Sequence, residues 1–137
     1  MKVFLDSSSL AKRYIMEAGS DIVDAILSEA REVAVSLIAP PEIISALNRL
    51  RRHNLISALQ YGRAKKALFK DIEDMSICNM TVPVVEKAIG LIEVYPLKTL
   101  DALHVACALE WRPDLFVSSD RRQVFAARKM GLRIRFV

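Results

Sequence analysis

Cysteine is scarce in this chain: only Cys78 and Cys107 are present among 137 residues, and they form no C-x-x-C pair. With His53 and His104 as the only further soft ligands, no convincing structural zinc set can be assembled, and both thiols read as buried and reduced. Four glycines and five prolines are too few for a fibrous or low-complexity chain. No apolar run approaches the roughly 20 residues of a membrane span. The N-terminus opens on a short strand-like run instead of a charged, then apolar, then small-residue leader, so the expectation is a cytoplasmic protein with no membrane contact.

Acidic residues are missing from two windows. None lies between Glu42 and Asp71, and none follows Asp120. The first window holds Arg49, Arg51, Arg52, Arg63, Lys65, Lys66 and Lys70; the second holds Arg121, Arg122, Arg128, Lys129, Arg133 and Arg135. Such windows suit the neutralisation of phosphates, although a basic run alone is equally the mark of a solvated helix face.

What is present is a core. At 53% hydrophobic and 26% charged, residues 1–137 are expected to form one packed domain without disulfide or metal staples. Lys2–Leu5 reads as a short apolar strand, followed by Ser7–Ser9 as cap candidates for a helix running through Tyr14. A second helix is expected over about Asp21–Ala30 and a strand over Val33–Leu37. Pro40-Pro41 then opens a helix with Ile43, Ile44, Leu47 and Leu50 on one side. Ser57–Asp74 is a basic amphipathic helix, Met75–Cys78 a short strand and Val82–Val94 another helix. Thr99–Trp111 is the most apolar helix; strand Leu115–Ser118, helix Asp120–Lys129 stopped by Gly131, and strand Arg133–Val137 complete the chain. Strands alternating with helices predict an α/β fold with a mainly parallel central sheet flanked by helices on both faces.

Ligands in such sheets bind beyond the carboxyl ends of the strands, where Asp6 and Asp120 fall. Each aspartate taken singly is also explained as a helix cap. Asp101 stands in a helix apolar nearly all round, where a charge needs a partner or the helix dipole. Glu42 has the same first-turn explanation. Spacing alone does not bring the four acids together, and His104, one turn after Asp101, reads as a satisfied core histidine outside the catalytic set.

These residues resemble the PIN-domain nucleases, and within them the VapC-like toxins of toxin–antitoxin pairs. VFLDSSSLAKRY is similar to the family's first motif, SLIAPPEIISALNRL to the second, KTLDALHVACAL to the third and FVSSDRRQVFAARKMGL to the fourth. The resemblance covers nearly the whole chain. It implies a single PIN-like domain with Asp6, Glu42, Asp101 and Asp120 as catalytic metal ligands and Ser8 and Ser118 in support. In the family the fourth acid often binds metal through water, and Ser118 stands where threonine is common.

Carboxylates about 4 Å apart repel by roughly 4 kcal/mol per pair at an effective dielectric near 20, so such a cluster needs a cation. All-oxygen ligands suit Mg²⁺, with Mn²⁺ as a possible substitute. The expected activity is metal-dependent hydrolysis of single-stranded or looped RNA, with Arg49, Arg51, Arg52, Lys65, Lys66, Arg121 and Arg122 holding flanking phosphates. The resemblance adds a small antitoxin as partner, and apolar helices leave candidate faces for a homodimer. Two other readings stay open at this point: a non-catalytic RNA-binding or assembly module on the same fold, and a receiver-like phosphate regulator, which would need a paired acid beside Asp6 where this chain has Leu5 and Ser7.

Overall fold

A computed structural model describes residues 1–137. The strands are β1 (Lys2–Leu5), β2 (Glu32–Ser36), β3 (Ser76–Cys78), β4 (Leu115–Ser118) and β5 (Ile134–Phe136). The helices are α1 (Ser7–Ala11), α2 (Ser20–Glu29), α3 (Ala39–Arg52), α4 (Ala58–Glu73), α5 (Val82–Val94), α6 (Thr99–Trp111) and α7 (Arg121–Lys129). All five strands pair in parallel in the order β3-β2-β1-β4-β5. The sheet therefore grows outward from β1 in one direction and then in the other, which makes the gap beyond β1 and β4 a topological switch point.

Side-chain alternation along the strands sorts the core into two layers. Phe4, Ala34 and Phe116 point to one face, where α5, α6 and α7 supply Val84, Ala88, Leu91, Val105, Ala106 and Ala127. Val3, Leu5, Val35, Leu115 and Val117 point to the other, covered by Leu10, Val23, Ile43, Leu47 and Leu68 of α1 to α4. The central strands are buried on both sides, which is why β1 and β4 read as continuous apolar runs. Phe4 and Phe116 stack across the β1–β4 pair with centroids 6.0 Å apart, and deleting one such ring costs about 3–5 kcal/mol.

Most element boundaries match the expected ones within one or two residues, and α5, α6, β1 and β4 match at both ends. One helix is shorter than expected. α1 stops at Ala11 instead of running to Tyr14, because its end tightens into i→i+3 bonds at Lys12, Arg13 and Tyr14. Tertiary contacts then claim these side chains. Arg13 Nε donates to Asp71 at 2.6 Å, Tyr14 Oη donates to the same carboxylate at 2.8 Å, and Lys12 Nζ reaches the Ala18 carbonyl at 2.7 Å. Arg13 also bridges to Asp24 of α2, so it clamps α2 and α4 together. The expected burial of both thiols holds for Cys107, which burial pushes up to about 12; Cys78, at the end of edge strand β3, is only half-buried. No helix is long and apolar enough to cross a membrane.

Burial alone pushes the Asp71 carboxyl up, but the Arg13 and Tyr14 hydrogen bonds and the Arg13 charge together outweigh it and hold it below the ordinary aspartate value. A depressed folded value stabilises the fold above the unfolded value, about pH 4, and that contribution is lost as pH falls through the folded one. Denaturant unfolding of wild type and Asp71→Asn should therefore show a gap that is full at neutral pH and closes in acid. A gap independent of pH would contradict the clamp.

Candidate active site

Four helices, α1, α3, α6 and α7, present an acid at or within the first turn of their N-terminus: Asp6, Glu42, Asp101 and Asp120. Asp6 and Asp120 are N-caps, accepting from Ser9 N and from Arg122 N and Gln123 N. The prolines before Glu42 fall in the first turn of α3, where an N–H has no intrahelical acceptor to lose. Each acid thus sits against the positive end of a helix.

Asp6 is the most deeply held, with no exposed surface. Its Oδ1 accepts from Ser9 N at 2.9 Å and lies 2.7 Å from Ser9 Oγ. Its Oδ2 accepts from Ser8 Oγ and Ser118 Oγ, each at 2.7 Å. Ser8 and Ser118 in turn accept from the backbone N–H groups of Ser119 and Asp120 at 3.3 and 2.9 Å. The carboxylate is therefore tied through two hydroxyls to the β4–α7 turn. Two donors per oxygen match the lone pairs a carboxylate offers.

Glu42 is half-buried and engaged through one oxygen. Ser7 Oγ donates to Oε1 at 2.7 Å, and His104 Nε2 lies 2.5 Å from the same atom. Burial by itself raises Glu42, but the hydrogen bonds from His104 and Ser7 outweigh it and hold the carboxyl below the usual glutamate value. Asp101 goes the other way. Desolvation and then the Asp120 charge raise it, with Glu42 adding to the repulsion, while the Gln123 Nε2 hydrogen bond to Oδ1 at 3.0 Å opposes them. The surroundings of Asp101 thus disfavour its negative charge.

Asp101 and Asp120 line one open depression of about 500 Å³ together with Lys98, Ser119, Arg121 and Arg122. Of the basic residues expected to hold phosphates, Arg121 and Arg122 are the two beside the acids. Arg49, Arg51 and Arg52 lie at the far end of α3 from Glu42, with Arg51 stacked 4.2 Å over the Tyr61 ring. Lys65 and Lys66 border a separate hollow on α4 with Phe69 and Lys70. Sequence reasoning missed Lys98, which precedes Asp101 by three residues at the α6 N-cap, and it missed Ser7, Ser36, His104 and Gln123. His104 carried a signal in its one-turn spacing from Asp101; Ser7 carried none.

No three His, Cys, Asp or Glu side chains converge closely enough to hold an ion by themselves. Mg²⁺ does not require that, since it commonly binds through one or two carboxylates and keeps several waters. Glu42, Asp101 and Asp120 each have one oxygen hydrogen-bonded and the second without a protein donor. Beside Asp101, Oε1 of Gln123 is buried and has no partner. Hard oxygen donors, mutual repulsion and free second oxygens fit a hydrated divalent ion.

A family model described as PIN domain matches residues 3–129. The chain is 28% identical over 135 residues to Ribonuclease VapC46 of Mycobacterium tuberculosis (strain ATCC 25618 / H37Rv), covering 96% of this chain and 95% of that protein. Among solved structures, it superposes on the Mycobacterium tuberculosis Sarcin-Ricin loop cleaving toxin VapC20 with a TM-score of 0.70 at 16% identity, covering 90% of this chain and 94% of that one. It also matches VapBC2 from Rickettsia felis, crystallised with a fragment of its promoter DNA, with a TM-score of 0.70 at 11% identity over 100% and 99% of the two chains. At these identities the structures establish a shared fold.

A raised folded value means that the ionised Asp101 carboxylate costs stability at neutral pH, a cost relieved as pH falls through that folded value. In EDTA, Asp101→Asn should therefore melt above wild type at neutral pH and lose that advantage in acid. A variant that melts below wild type at neutral pH would show that the site holds no uncompensated charge.

Proposed function

The chain belongs to the PIN-domain family, and from that premise we propose that it is a divalent-metal-dependent endoribonuclease of the VapC-like toxin type. The observation that carries the reading is the rim itself, where carboxylates that repel one another stand beside Lys98, Arg121 and Arg122 at the switch point of a parallel sheet. The likeness to Ribonuclease VapC46 over nearly the whole of both chains supports RNA as the substrate. A shallow, open rim admits an exposed single strand or loop more readily than a paired backbone.

Asp101 and Glu42 would hold the ion through their free oxygens, Asp120 through its own or through water, and Asp6 by exchanging one of its serine donors. When bound, Mg²⁺ or Mn²⁺ neutralises charge at the scissile phosphate and acidifies the attacking water. The remaining work falls to the chain. Arg121 and Arg122 bind flanking phosphates, Lys98 adds a third positive charge, and Asp120 is placed to accept a proton from water entering the depression. Lys65, Lys66, Arg49, Arg51 and Arg52 extend the basic surface along α3 and α4 for a longer strand.

The partners follow from the surface. VapBC structures among the relatives support a small antitoxin, and the apolar groove between the Arg13–Met16 segment and the α3–α4 hairpin, with Leu47, Leu55 and Ile56 in its lining, is a suitable seat. A homodimer is supported by α5, where Val82, Val85, Ile89 and Ile92 are 40–70% exposed. Their spacing lets an antiparallel copy oppose Val82 to Ile92 and Val85 to Ile89, the self-complementary match a two-fold interface needs. The absence of any membrane-crossing helix accords with a cytoplasmic site of action.

Two experiments check this. Purified protein should cut a mixed single-stranded RNA with Mg²⁺ or Mn²⁺ and not with EDTA, and folded Asp6→Asn and Asp101→Asn variants should each lose at least about a hundredfold in rate. Cleavage that persists in both variants would overturn the assignment, whereas intact RNA bound with a steep salt dependence would favour the non-catalytic module. Light scattering should give a dimer that Ile89→Glu converts to a monomer; a wild-type monomer at micromolar concentration would contradict the α5 pairing.

A further inference from the structure

His104 is 1% exposed, yet it is polar and both of its ring nitrogens are engaged. Nδ1 lies 2.8 Å from Ser36 Oγ at the end of β2, and Nε2 lies 2.5 Å from Glu42 Oε1 in the first turn of α3. The imidazole thereby joins α6 to the strand and the helix that flank the rim. Counting donors assigns its proton. Ser36 is sealed from solvent and has no other acceptor within reach, so its hydroxyl donates to Nδ1; the ring proton then sits on Nε2, facing Glu42 Oε1 and, at the longer distance of 3.1 Å, Ser7 Oγ. Ser7 Oγ supplies a second donor to the same oxygen, at 2.7 Å. Oε1 is filled, and Oε2 receives no hydrogen bond from the protein.

We propose that His104 is a positioning residue for Glu42: Ser36 fixes the tautomer of the ring, the ring holds Oε1, and the carboxylate is thereby kept with Oε2 presented to a divalent cation. This rests on the nuclease reading given above and extends it to residues that never touch the reacting atoms. With both nitrogens occupied by protein groups, the ring has none left for substrate. Freed from His104, the Glu42 side chain regains rotamer freedom and must be re-ordered each time the ion binds. Outer-shell partners of this kind typically contribute about 10–100-fold in metal affinity.

The test is the Mn²⁺ dissociation constant of the full chain, read from the electron paramagnetic resonance of free Mn²⁺, for variants whose folding is verified by circular dichroism. His104→Leu should weaken binding about tenfold or more, and His104→Gln, which keeps an N–H in reach of Glu42, should recover most of that loss. In a Glu42→Ala background, His104→Leu should change the affinity by less than about twofold, since the partner through which it acts is gone. Ser36→Ala should weaken binding in the same direction by a smaller factor, and it serves as the arm to read if the Leu variant does not fold. The nitrogen resonances of the wild-type ring should show a proton on Nε2 alone. Unchanged affinity in His104→Leu, or in Ser36→Ala where that arm is read, beside a loss in Glu42→Ala would overturn the positioning role and leave the metal reading intact. Unchanged affinity in Glu42→Ala, or no Mn²⁺ binding by wild type, would instead remove the metal reading of Glu42 and the proposal with it. A proton on Nδ1, or on both nitrogens, would contradict the tautomer.

Discussion

A fully buried carboxylate costs several kcal/mol unless its lone pairs are met, and Asp6 meets that condition with donors from Ser8, Ser9 and Ser118 of the neighbouring strand β4. The same bonds hold the edge of the sheet in shape. Ser9 Oγ also lies 2.9 Å from the Val117 carbonyl, and Ser8 and Ser118 anchor the turn that leads into α7. Once that junction is set, Asp120 is delivered to its cap position and Gln123 to Asp101. On the other side of β1, Ser7 reaches Glu42 and His104. Asp120 and Asp101 are thus reached from Asp6 through hydrogen bonds, and Glu42 through the adjoining Ser7 of the chain.

The structural and functional explanations of these acids turn out to be compatible. Asp6 and Asp120 are helix caps, as their sequence context suggests, and Glu42 and Asp101 lie in first turns. Parallel topology sends the helices that follow β1, β2 and β4 off from one edge, and α6 begins at the same edge. Four N-termini converge there, each carrying an acid that its dipole favours. The convergence concentrates negative charge beyond what the dipoles compensate, and the excess is felt most at Asp101.

Much of this was legible in the sequence. The strand-helix alternation gave the sheet, the apolar runs of β1 and β4 marked its centre, and the aspartates at strand-to-helix seams marked its carboxyl edge. Local pattern failed where a long-range contact decided the outcome. α1 ends early in i→i+3 bonds, and the Arg13 and Tyr14 side chains there are held by Asp71, 57 or 58 residues away. His104 reads from the sequence as a satisfied core residue, and it is one, but its satisfaction comes from Glu42 and Ser36, a pairing no helical spacing reveals. Gln123 carries no local signal that links it to Asp101. The basic windows were visible as composition, yet only the fold separates Arg121 and Arg122, beside the acids, from the Lys65–Lys70 surface.

The central claim is that the rim is a pocket of uncompensated carboxylate charge made for a divalent cation. The most direct test is the melting temperature of the full chain as a function of Mn²⁺ concentration, because an ion that binds only the folded state stabilises it by about 2.7 kcal/mol at a hundred times its dissociation constant. The account predicts a melting temperature that climbs steadily with Mn²⁺ in wild type and stays flat in Asp101→Asn. A wild-type melting temperature indifferent to Mn²⁺, or an equal rise in both proteins, would contradict it.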